Sequence, residues 1–202
     1  RSVGFSQDSL KAYSMGEDRS IRIWDGETGR CLKNIRTFAF IPVTGDFSAD
    51  GRMAVTGYGD SFKTLDLWDL ESGQLAHRFS GMGVISVRFS PDSGYVAALG
   101  MDGRSWIIDV PSRTLVWESD VSPDAFGLTT AIGFIGDGLA LLLGGEDGKV
   151  RAILPGDGET FLEVQAHAGR VTCLDVAPDS SMVLSGGADE TVRLWEASSG
   201  KE

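Results

Sequence analysis

Two histidines, two cysteines and six prolines are all that 202 residues contain. Cys31 and Cys173 lie in separate strand-like stretches, so no disulfide framework is present, and a reducing compartment is the default expectation. Neither His77 nor His167 has a second His or a Cys at ligand spacing, which argues against a zinc site. No apolar run reaches the roughly 18 residues that a membrane-spanning helix needs. Basic charge is scarce: 18 Lys and Arg stand against 29 Asp and Glu, a formal net charge of −11. A protein that displaces counterions from nucleic acid needs the opposite balance, so direct nucleic-acid binding is disfavoured. A basic protein segment suits this charge better.

Glycine, by contrast, is abundant at 27 residues, much of it in short turns such as "MDG", "GDG" and "EDG". Many short strands joined by tight turns follow from that pattern. The turns also carry a repeat. The stretches "VGFSQD", "GDFSAD", "VRFSPD", "IGFIGD" and "LDVAPD" end at Asp8, Asp50, Asp92, Asp137 and Asp179, in steps of about 42 residues. A second aspartate follows each after the same interval: Asp18, Asp60, Asp102, Asp147 and Asp189. A large apolar residue comes next at a fixed offset, as Trp24, Ile108, Ile153 and Trp195; in the second repeat "GDSFKTLDLWD" carries two extra residues and delays it to Trp68. Each unit reads as three alternating strands with a fourth, outer strand such as "GQLAHRF". "SIRIWD" is apolar on both faces, which requires sheets stacked on both sides of it.

These residues resemble the WD-repeat β-propeller family. The signature dipeptide stands as Trp24-Asp25 and Trp68-Asp69, and in weakened form as Trp195-Glu196; the third repeat keeps only Asp109, and the fourth reads "AILPG". The resemblance implies an all-β fold of five consecutive four-stranded blades, the last incomplete. The repeats run over about 1–35, 36–79, 80–119, 120–164 and 165–202. It further implies an open segment of a seven-bladed ring, whose remaining blades come from the same chain or a partner subunit; propellers of four to eight blades are known.

The resemblance also implies a structural hydrogen-bond chain in the fifth repeat, through His167, Ser185, Asp189 and Trp195. Partial chains are expected at Ser14, Asp18 and Trp24, and at Thr56, Asp60 and Trp68, where Phe38 stands in place of the histidine. The third and fourth repeats have Ala98 and Leu143 at the hydroxyl position, so the turns of Asp102 and Asp147 are expected to be held mainly by apolar packing. His167, Ser185 and Asp189 invite comparison with a catalytic triad, but Ser185 lies in an apolar strand and the repeat already accounts for it. The glycine-rich turns lack a P-loop ending, and the turn aspartates are read as caps of their own loops rather than as calcium ligands.

The expected function is therefore a non-catalytic scaffold that binds a protein or peptide, a basic one by charge, with no cofactor and no metal. The residues before the turn aspartates, Glu17, Gly59, Met101, Glu146 and Ala188, mark the face on which partners of this family dock. Alternatives are a regulatory or sensor propeller attached to a kinase or ATPase, a purely structural propeller and, last, a propeller enzyme. A cytoplasmic location is expected, or a nuclear one in a eukaryote.

Overall fold

The computed structural model describes residues 2–6, 8–37, 41–59, 61–119, 129–136 and 140–202. Asp60, Phe38 and Asp137 lie outside them. The chain divides into two compact units, Arg1–Val96 and Ala97–Glu202. Every regular element among the described residues is a β-strand.

The first unit opens with a four-stranded sheet in chain order: β1 (Ser2–Phe5), β2 (Lys11–Met15), β3 (Ser20–Asp25) and β4 (Cys31–Arg36). A second sheet repeats the order with β5 (Thr44–Phe47), β6 (Met53–Tyr58), β7 (Thr64–Asp69) and β8 (Gln74–Ser80). The third comprises β9 (Val84–Phe89), β10 (Tyr95–Gly100), β11 (Ser105–Asp109) and β12 (Thr114–Glu118). In the second unit, β13 (Thr129–Ile135), β14 (Ala140–Gly145), β15 (Lys149–Ile153) and β16 (Thr160–Gln165) form the fourth sheet. The fifth has three strands, β17 (Val171–Val176), β18 (Met182–Gly187) and β19 (Val192–Glu196).

Alternation along the strands gives each sheet two apolar faces, on which neighbouring sheets pack within each unit. In the first unit, Tyr13, Met15, Ile21 and Ile23 of the first sheet share one core with Phe47, Ala54 and Trp68 of the second. In the second unit, Leu142, Val150 and Ala152 of the fourth sheet share a core with Val171, Val183 and Trp195 of the fifth. Counted from the first turn aspartate, these two interfaces use the same positions. The register explains why: Ala12 pairs with Trp24 and Val183 with Trp195, so each Trp points away from the face that carries Ile23 or Leu194. On the fifth sheet the positions equivalent to Leu142, Val150 and Ala152 are Leu184, Val192 and Leu194, and these are 43%, 70% and 51% exposed.

Candidate functional site

The two candidate regions are the polar chain inside the fifth sheet and the tips of the turns between the second and third strands. The polar chain is built from three segments. Ser185 sits on β18 and Trp195 on β19, both pointing to the covered face; His167 precedes β17, and Asp189 opens the β18–β19 turn. Trp195 Nε1 donates to Ser185 Oγ at 3.2 Å, and Ser185 Oγ lies 2.8 Å from His167 Nε2. His167 Nδ1 lies 3.0 Å from Asp189 Oδ1. The carboxylate also accepts from the backbone amides of Ala168 (3.0 Å) and Thr191 (3.2 Å), and from the Thr191 hydroxyl (2.8 Å). One proton arrangement satisfies every member. Nδ1–H donates to Asp189, the Ser185 hydroxyl donates to Nε2, and Ser185 Oγ accepts from the indole. His167, Ser185 and Trp195 are all buried.

The hydrogen bond from Thr191, with those from the Ala168 amide and His167, holds the Asp189 carboxyl well below the usual carboxylate range. A carboxylate whose pKa is lower in the folded state stabilises the fold above its unfolded value of about 4, and that contribution is lost as pH falls further. Unfolding midpoints in urea are therefore expected to drop between pH 5 and pH 2 on the scale set by reference carboxylates. Asp189→Asn should flatten that dependence. An identical pH profile for the variant would contradict the assignment.

The other sheets close the same region with different parts. Trp24 Nε1 donates to Ser14 Oγ at 2.8 Å, and Trp68 Nε1 to Thr56 Oγ1 at 3.0 Å. Asp18 takes the backbone amide and hydroxyl of Ser20 (3.2 and 2.8 Å) and an ion pair with Arg22. In the fourth sheet, where the turn is expected to be held mainly by apolar packing, ion pairs join that packing. Leu143 is buried, but Asp147 also receives Arg151 Nη2 at 2.6 Å, and Arg151 Nε donates to Glu163 Oε2 at 2.8 Å. In the third, Arg104 bridges Asp102 (3.3 Å) and Glu118 (3.1 Å). In the first, third and fourth sheets, where no histidine occupies the turn aspartate, an arginine reaches it; sequence spacing did not flag these arginines.

The sequence pattern names the second half of the Trp-Asp dipeptide without giving it a role. Asp25 Oδ1 accepts from the Thr28 amide and hydroxyl, both at 2.7 Å; Asp69 does the same with Ser72 (2.7 and 2.8 Å), and Asp109 with Ser112 (2.8 and 2.6 Å). Each carboxylate caps the turn into the outer strand. The signal was a Ser or Thr three residues after the Asp.

The turn tips are chemically different. Met101 is 63% exposed at the β10–β11 turn. Glu146 and Ala188 are exposed at the equivalent tips of the fourth and fifth sheets, and Glu17 at that of the first. Asp102, Asp147 and Asp189, one residue on, each bind the amide of their own loop, so they hold the tip in place and leave its apex to the residue before. His77 lies exposed on β8, against Phe79, and Cys31 and Cys173 are free thiols. Among the described residues no helix is long and apolar enough to cross a membrane, and no three His, Cys, Asp or Glu are placed to hold a metal ion.

Stacked four-stranded sheets, turn-capping aspartates and a Trp bonded to a strand hydroxyl are the features of a β-propeller fold. The family model "WD domain, G-beta repeat" matches residues 73–109 and 158–196, so repeats similar to that family stand at these two positions. WD repeat-containing protein 18 of Rattus norvegicus is 26% identical over 205 residues, covering 96% of this chain and 40% of that protein. The human serine-threonine kinase receptor-associated protein is 24% identical over 97% of this chain and 66% of its own length. The crystal structure of the Cps50 (Swd1) β-propeller domain of Myceliophteria thermophila superposes with a TM-score of 0.81, at 21% identity, over 96% of this chain and 64% of that one. The chain thus spans about two fifths of the length of WD repeat-containing protein 18.

Proposed function

We propose that this chain is a non-catalytic scaffold that binds a protein or peptide through the turn tips between the second and third strands of its sheets. The observation that carries the reading is the contrast between two neighbouring sets of residues. Ser185 is buried and committed to both His167 and Trp195, and the Thr191 hydroxyl donates to Asp189 at 2.8 Å, so neither hydroxyl beside His167 is a free nucleophile. Met101, Glu146 and Ala188 of the second unit stand exposed on turns whose backbones are fixed by their own aspartates. A flexible thioether and a carboxylate on rigid turns suit a partner segment with apolar and basic side chains.

The reading is tested by selecting basic and mixed peptides from a displayed library on the full chain and measuring their affinity for a Met101→Ala/Glu146→Ala variant. Affinity is expected to fall about tenfold, the equivalent of some 1.4 kcal/mol, with no change in the unfolding midpoint. Selected peptides that bind the variant as tightly as the parent chain would overturn it.

A further inference from the structure

The histidine of the fifth sheet's polar chain has room for its ring because a glycine stands beside it. A Cβ built on Gly187 would lie 2.4 Å from both Cγ and Nδ1 of His167. The first, third and fourth repeats also place glycine two residues before the turn aspartate, as Gly16, Gly100 and Gly145. The second repeat alone places a large side chain there, Tyr58, and has Phe38 at the histidine's position.

Tyr58 is 1% exposed, and its hydroxyl meets the group that the histidine would meet. Trp68 Nε1 donates to Thr56 Oγ1 at 3.0 Å, and Thr56 Oγ1 donates to Tyr58 Oη at 3.3 Å. In the fifth sheet the same pairing of indole and hydroxyl ends on His167 Nε2. Beyond the phenol lies Thr37, whose side chain is hydrogen-bonded to Tyr58. Thr37 follows β4, and its amide and hydroxyl both donate to the Arg19 carbonyl, at 2.9 and 3.0 Å. The bonds run in one direction: indole to Thr56, Thr56 to Tyr58, Tyr58 to Thr37, and Thr37 to a backbone carbonyl of the first sheet. Each hydroxyl in that order accepts one bond and donates one. Burial raises the phenol's pKa, so it keeps the proton that the relay needs.

The carbonyl at the end of the relay belongs to a strained position. Arg19 follows the turn aspartate Asp18 and has a φ of 62°, in the left-handed region that disfavours a side chain. The third and fourth repeats place Gly103 and Gly148 there. In the fifth, Glu190 takes a φ of 64° beside the His167–Asp189 bond. A non-glycine residue in this conformation persists where its surroundings hold it, and Thr37 holds Arg19 by two bonds to one oxygen.

We propose that Tyr58 is a positioning residue that replaces the histidine of the second sheet and carries its polar chain across to the first, fixing the turn tip at residues 17–19. Removing Oη leaves the buried Thr56 hydroxyl without its acceptor and Thr37 without its donor, so the second sheet's frame and the first sheet's tip come apart together. The use of that tip in docking rests on the function proposed above. The link itself does not, and its test involves no partner.

Amide hydrogen exchange is followed by NMR on the ¹⁵N-labelled full chain, on Tyr58→Phe, which keeps the ring, and on Thr37→Val, which keeps the shape. In Tyr58→Phe the protection factor of the residue 37 amide is expected to fall about tenfold, with shifted resonances at Glu17, Arg19 and Ser20. The Ile21 and Ile23 amides in the body of β3 should change less than about twofold. Thr37→Val should give the same pattern, and the double variant no more than either single one, because all three cut one relay. Should Tyr58→Phe lose its folded spectrum, Thr37→Val decides on the same readings. Unchanged protection at residue 37, a loss shared equally by β3, or additive losses in the double variant would overturn the proposal.

Discussion

Trp195→Ala is expected to lower the free energy of unfolding by about 3–5 kcal/mol, the range for truncating a large buried side chain. The indole fills the core between the fourth and fifth sheets, against Leu142, Val150 and Val183. Alanine would leave a void that the flanking strands, paired Val183 to Trp195 and Leu184 to Leu194, cannot collapse without breaking register. It would also remove the donor to Ser185 Oγ. Trp195→Phe, which keeps most of the volume, should cost clearly less. Urea denaturation checks both, and a loss below about 1 kcal/mol for the alanine variant would place the indole outside the core.

Arg78→Leu is expected to cost about 3 kcal/mol, the lower end for breaking a buried ion pair. Asp66 is fully buried on β7, and Arg78 on β8 grips it with two bonds, Nε to Oδ1 at 2.6 Å and Nη2 to Oδ2 at 2.7 Å. The Arg78 side chain is itself 36% exposed, which is why the lower figure applies. Losing the guanidinium strands a carboxylate with no water to solvate it. The double variant Asp66→Leu/Arg78→Leu should recover much of the loss, because the cost lies in the unpaired charge rather than in the missing attraction. Equal losses in the single and double variants would contradict this.

The repeat was legible because its signals are local and periodic. Turn aspartates, alternating apolar residues and the Trp positions all sit at fixed offsets, and the stacked sheets follow from strands apolar on both faces. The partners of Trp24 and Trp68 could be read the same way, since a strand hydroxyl directly across a hairpin is a matter of register. Arg22 and Arg151 were not read, because a long, flexible side chain chooses its carboxylate in space and leaves no periodic trace. Asp66 was hidden by the two-residue insertion of the second repeat. It takes a position that holds Arg22, Arg151 and Arg193 elsewhere, and the outer strand compensates with Arg78. The visible hint was a carboxylate in the apolar run "TLDLWD". Tyr58 was overlooked for the opposite reason: as an aromatic residue in an alternating strand it reads as core, and only its bonds to Thr56 and Thr37 show where its hydroxyl goes.

The central claim is that His167, Ser185, Asp189 and Trp195 act together as the frame of one blade. A double-mutant cycle on Ser185→Ala and Trp195→Phe, read by urea unfolding of the two single variants and the double, tests it most directly. Residues in one hydrogen-bonded network should show a coupling energy of about 1 kcal/mol, within the 0.5–3 kcal/mol range for contacting residues. Additivity within about 0.3 kcal/mol, the behaviour of independent sites, would contradict it.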